Sequence, residues 1–138
     1  MRTRVFNGKE QIFCEWRHRW VRLTPEEWVR QQLLHQMVEQ LGYPASLIAV
    51  EVAISVGEVK KRCDAVVYDT AMRPQVLIEC KAEKVPLTQK TLDQALIYNR
   101  KLNVPYLILH NVPQTICVHG NNSYTTGLPR YADLLRRE

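Results

Sequence analysis

The chain has 138 residues, enough for one domain with one core, and its 46% hydrophobic and 24% charged content is that of an ordinary globular protein. No run approaches the roughly 18 apolar residues of a membrane span. The basic start MRTRVFNGKEQIFCEWRHRW also lacks the apolar stretch and cleavage site of a signal peptide, so a cytoplasmic location with no membrane partner is expected.

The net charge of +5 leans towards a polyanionic partner, and Arg2, Arg4, Lys9, Arg17, Arg19 and Arg22 crowd the first segment. Cys14, Cys63, Cys80 and Cys117 lie far apart with no CxxC pair, which favours buried thiols over a disulfide framework or a zinc site.

In chain order, residues 1–23 read as a basic N-terminal arm with short strands around Val5 and over Glu15–Val21. Thr24-Pro25-Glu26-Glu27 is a helix start: Thr24 as N-cap, Pro25 at the first helical position, acids in the first turn, and Glu27 placed for a capping box. Val29, Leu33, Met37 and Leu41 then form one apolar stripe, and Gly42 with Pro44 ends the helix. Three strands follow over Ile48–Val56, Lys61–Tyr68 and Gln75–Lys81, joined by short connections as an antiparallel meander, with a turn at Gly57-Glu58. A second helix is expected over Thr88–Asn103, then a buried central strand over Val104–His110 and another over Gln114–His119. Gly120–Gly127 reads as a turn region and Leu128–Glu138 as a short helix. The order gives an α/β fold, α-β-β-β-α-β, with a mixed central sheet flanked by helices. It is one domain over 1–138, with an arm (1–23), a core (24–119) and a C-terminal turn and helix (120–138).

The residues that carry chemistry are Asp64 and, after fourteen intervening residues, Glu79-Cys80-Lys81. Side chains alternate along a strand, so Glu79 and Lys81 share a face that Cys80 does not. If the second and third strands pair as a hairpin, Asp64 comes beside Glu79. Two adjacent carboxylates repel unless a cation intervenes; Mg²⁺ fits such oxygen donors, and a lysine beside it suits phosphodiester hydrolysis. An E-x-K pair alone is common as a surface salt bridge. What favours chemistry is its place at the end of the apolar VLI run, with Asp64 followed by Ala65-Val66-Val67, since burying such charges without use is costly.

With LTPEEWVRQ (23–31), KRCDAVVY (61–68), VLIECKA (76–82), DQALIYN (93–99) and PYLILHN (105–111) in that order, the sequence resembles the PD-(D/E)XK nuclease superfamily. It is most similar there to the N-terminal nuclease domain of type I restriction enzyme R subunits. The resemblance implies a restriction-endonuclease-like fold and a Mg²⁺-dependent deoxyribonuclease, with Mn²⁺ as substitute. It implies Asp64 and Glu79 as metal ligands, the Cys80 carbonyl as a third, Lys81 as catalytic lysine, and Glu26 or Glu27 from the first helix joining the site, with Glu26 favoured. Gln94 and Tyr98 match the QxxxY pattern and, with Arg62, Arg30 and Gln31, are the nucleic-acid-contact candidates; for Arg30 and Gln31 the alternative is a solvated helix face. Cys63 replaces the proline of the signature. No Walker A loop is present, so ATP-driven translocation is not implied, and any motor or specificity subunit would be a separate partner.

The expected partner is DNA, with a homodimer plausible because small domains of this kind often cut both strands in pairs. The competing readings are a non-catalytic module of the same fold that binds nucleic acid or a subunit, and an oligomerisation domain using Arg17, Arg19 and Arg22. Trp16, Trp20 and Trp28 read first as rings packing the arm on the domain, with base stacking as the alternative.

Overall fold

The computed structural model describes residues 1–120 and 123–134. The segment expected as an arm folds as a small antiparallel meander: β1 (Thr3–Phe6), β2 (Lys9–Cys14) and β3 (Arg19–Arg22). Phe6 pairs with Lys9 around Asn7-Gly8, whose positive φ values of 52° and 76° are those of a two-residue hairpin turn. Residues 15–18 form the second turn, so β3 begins at Arg19, not Glu15. Ile12 and Cys14 on one face of β2 are fully buried, which docks the meander on the rest of the chain.

The first long helix, α1 (Pro25–Leu41), starts as the sequence requires: Thr24 Oγ1 accepts a hydrogen bond from the Glu27 amide at 3.0 Å. The reciprocal half of a capping box is not made, because the Glu27 carboxylate turns inward to other partners. Val29, Leu33 and Met37 are buried, and Gly42 at φ 79° closes the helix through the left-handed conformation.

A six-stranded mixed sheet follows, with spatial order β4-β5-β6-β7-β8-β9. The antiparallel meander is β4 (Ile48–Val56), β5 (Val59–Tyr68) and β6 (Pro74–Cys80). The second helix, α2 (Gln89–Leu102), is capped by Thr88 and ends on Asn103 in the left-handed region, and it carries the crossover to β7 (Tyr106–His110), parallel to β6. The sheet is completed by β8 (Thr115–His119) and β9 (Ser123–Thr125), the latter an edge strand where only turns were expected. From the tail, α3 (Tyr131–Leu134) is described; the remainder of the helix expected to Glu138 lies outside the described residues.

Apolar side chains on both sheet faces make two cores. Val29, Leu33, Leu34 and Met37 of α1 pack on Ala65, Val67, Val76 and Ile78. Ala95 of α2 packs on the opposite face with Val66, Leu77, Leu107 and Leu109. β6 and β7 are therefore covered on both sides, as their unbroken apolar runs required. All four cysteines are buried free thiols. No helix among the described residues is long and apolar enough to cross a membrane.

Candidate functional site

Strict alternation fails midway along β4 and β5, beside the site. In β4, Val50 packs with the α1-side core and Val52 with the α2-side core, because Glu51 between them adopts φ 53°. Their partners on β5 switch likewise: Val50 pairs with Ala65, on the α1 side, and Val52 with Cys63, on the α2 side. Asp64 is the residue at this switch. The ladder between β5 and β6 also ends here, at Ala65↔Ile78, so Asp64 and Glu79 are the first residues beyond it.

Both carboxylates are buried, at 8% and 6% exposure. Asp64 Oδ2 accepts a hydrogen bond from the Cys80 amide at 2.7 Å, doing side-chain to main-chain what the interrupted ladder no longer does. Its Oδ1 lies 3.5 Å from Arg30 Nη1. Burial first, and then the charge of Glu79, push the Asp64 carboxyl up to about 7, against the pull of the Cys80 N–H and Arg30. Glu79 Oε2 accepts from Lys61 Nζ at 3.0 Å, and that ammonium lies 4.7 Å from the centre of the Tyr98 ring. Burial works against the Lys61 charge, yet the Glu79 carboxylate outweighs it and raises the lysine above its ordinary range.

Lys81 stands one residue past the end of β6, where its amide donates to the His110 carbonyl at 2.9 Å. No hydrogen bond or ion pair engages its ammonium within the described residues. The cation already spent on Glu79 is Lys61, a residue the sequence reading passed over.

On the helix side the buried acid is Glu27, while Glu26 is exposed. Glu26 reaches Asp64 and Cys80 only through its charge, which raises both groups further. Glu27 is held by Arg17 at 2.9 Å, Arg30 at 2.6 Å and Gln31 at 3.0 Å. Burial alone would raise its pKa; Arg30, Arg17 and Gln31 together bring it below the ordinary value. Arg17 continues to Glu51 at 3.3 Å, so the network ties the turn after β2, the helix and the switch in β4 to Asp64. Neither Arg30 nor Gln31 is a solvated helix residue, and Arg17, expected on a free basic arm, is internal.

The remaining candidates divide. Tyr98 is half-buried against Lys61, Gln94 is exposed on the same helix, and Arg62 projects into solvent with 73% side-chain exposure. Trp16 packs into the α1-side core and donates to the Ala45 carbonyl at 3.2 Å, whereas Trp20 lies on the outer meander and Trp28 is exposed.

Among the described residues, no three His, Cys, Asp or Glu side chains are gathered to hold an ion by themselves. The oxygens that could hold a hard cation are those of Asp64 and Glu79, with the Cys80 carbonyl next to Glu79 in the chain. The fit rests on electrostatics: the buried Asp64 carboxyl, pushed towards protonation by burial and by the charge of Glu79, would be relieved by a divalent cation.

The sequence pattern of the family described as "Type I restriction enzyme R protein N terminus (HSDR_N)" matches residues 25–130. No curated protein matches the chain. Among solved structures, a fragment described as an HsdR subunit of a type I restriction enzyme from Vibrio vulnificus YJ016 superposes with TM-score 0.63 at 16% identity, covering 83% of this chain and 25% of that one. A protein from Anabaena variabilis described as a nuclease of the DUF820 group superposes with TM-score 0.56 at 9% identity, covering 95% of this chain and 83% of that one. This chain thus spans a quarter of the HsdR fragment, and the likeness to both is a likeness of fold.

Proposed function

From the premise that the chain belongs to the family of type I restriction enzyme R protein N termini, nuclease-like in kind, we propose that it is a metal-dependent nuclease that hydrolyses phosphodiester bonds of DNA with a PD-(D/E)XK-type centre. The observation that carries the proposal is the pair of buried carboxylates, Asp64 and Glu79, on adjacent strands.

Asp64, Glu79 and the Cys80 carbonyl would hold Mg²⁺, with Mn²⁺ as substitute. When bound, such an ion supplies Lewis-acid stabilisation of phosphoryl charge and a water of lowered pKa. The chain's own residues do the rest. Asp64 is oriented by the Cys80 amide and steadied by Arg30. Lys81, with its ammonium uncommitted, is the group that holds the attacking water or the charge gathering on the phosphate. Tyr98 packs against Lys61 beside Glu79, while Gln94 and Arg62, both exposed, would meet the nucleic-acid backbone.

Purified protein with Mg²⁺ or Mn²⁺ cuts DNA in this account, and the Lys81→Ala variant does not. A wild type that cuts no form of DNA under conditions where it is folded refutes the proposal.

A second reading is a non-catalytic module that binds nucleic acid or a separate subunit. What favours it is that the helix-borne Glu27 is consumed by Arg17, Arg30 and Gln31, leaving two carboxylates rather than three. DNA binding that survives Asp64→Ala with Glu79→Ala, in a protein that never cuts, selects this reading.

A further inference from the structure

The N-terminal meander, residues 3–22, lies outside the matched family segment. The register pairs Arg4 with Gln11, Gln11 with Arg22, and Phe13 with Trp20, which puts these side chains on one face. Ile12 and Cys14 point the other way and are buried, so it is this face that remains open to solvent.

On it, cations and rings interleave. The Arg2 guanidinium lies 4.1 Å from the centre of the Phe13 ring, and that of Arg4 lies 4.3 Å from Trp20 and 4.8 Å from Phe6. Phe13 and Trp20 meet edge to face at 5.5 Å. Phe6 is 51% exposed. The only acid within the three strands, Glu10, pairs with Val5 and faces away. Among the described residues, Arg2, Arg4, Lys9 and Arg22 have no acidic partner, so their mutual repulsion is not offset by any carboxylate.

We propose that this face binds single-stranded DNA, as a site separate from the Asp64–Glu79 centre. The reasoning is charge and shape together. Guanidinium groups held over aromatic rings with no acid beside them want an anion. Phosphates answer the charge, and unpaired bases find planar guanidinium and ring surfaces to stack on. A duplex offers the phosphates but keeps its bases stacked inside, so it satisfies only half of the face. A purely acidic protein partner likewise offers no flat group for the rings.

The proposal presumes DNA as the ligand, as the proposed function does, but not cleavage, and the experiment separates them. Binding of labelled oligothymidylate is measured by anisotropy without divalent metal, using the full chain carrying Lys81→Ala. The same is done after adding Arg4→Glu with Arg22→Glu, and separately Trp20→Leu, with circular dichroism and melting confirming the fold. The expected result is binding that the charge reversal weakens at least about tenfold, with a shallower dependence on salt, that Trp20→Leu weakens too, and that duplex competes for poorly. Unchanged affinity in either folded variant, or equal competition by duplex, overturns the proposal. Failure of the wild type to cut DNA, with this binding intact, would count only against the nuclease reading.

Discussion

Lys61 Nζ lies 3.0 Å from Glu79 Oε2, so the glutamate is neutralised from the neighbouring strand and not by the lysine two residues along its own. The two lysines thereby acquire different roles. Lys61 holds the carboxylate in place and would compete with a metal for it, while Lys81 is left uncommitted.

Replacing each lysine separates those roles. Lys81→Ala is expected to leave metal affinity within about threefold and to cut DNA hydrolysis by about a hundredfold or more, the order of magnitude of one lost transition-state contact. Lys61→Met is expected to tighten metal binding, because Glu79 loses its competing cation. Calorimetric titration and a plasmid-nicking assay on both variants check this.

The raised Asp64 pKa has a definite sign. A carboxyl that titrates at about 7 in the folded chain and near 3.8 unfolded gives stability that is present in full below about 4 and is lost as pH rises through about 7. Metal-free wild type should therefore melt at lower temperature at pH 8 than at pH 5.5. Asp64→Asn, which keeps an acceptor for the Cys80 amide, should remove this loss. Thermal melts across that range decide it; a wild type whose melting temperature is flat, or rises as much as that of the variant, contradicts the assignment. By the same linkage, metal affinity of the wild type should climb steeply towards pH 7 and level above it.

Glu27 and Glu26 are neighbours with opposite expectations. Glu27→Ala strands Arg17 and Arg30 without their carboxylate in a largely buried setting, which costs about 3 kcal/mol or more. Glu26→Ala removes an exposed acid and should change stability by no more than about 0.5 kcal/mol. Because the Glu26 charge reaches the Asp64 site, its loss should also weaken metal binding slightly. Urea unfolding of both variants, with calorimetry on Glu26→Ala, tests the pair.

Much of the frame could be read from residue order. Thr24-Pro25 and Gly42 mark both ends of α1, and the apolar runs ending at Tyr68, Cys80 and His110 mark the strands that carry the site. Two features escaped for physical reasons. Asn7-Gly8 is a strong hairpin signal, but the flanking strands are short and basic, and composition suggested an arm. Lys61 lies three residues from Asp64, and strict alternation puts them on opposite faces. The face switch at Glu51 and Asp64 undoes that rule, and a positive φ at a glutamate has no signal in sequence. The choice between Glu26 and Glu27 turned on helical phase near the N-terminus, where a one-residue difference decides which acid meets Arg17 and Arg30.

The most direct test of the central claim is a calorimetric titration of Mg²⁺ and Mn²⁺ into the wild type and into Asp64→Ala with Glu79→Ala, at pH 8 where Asp64 is ionised. The account predicts saturable binding at a single site in the wild type and none in the folded double variant. Binding of equal strength in both would contradict it, since the ion would then sit away from the two carboxylates.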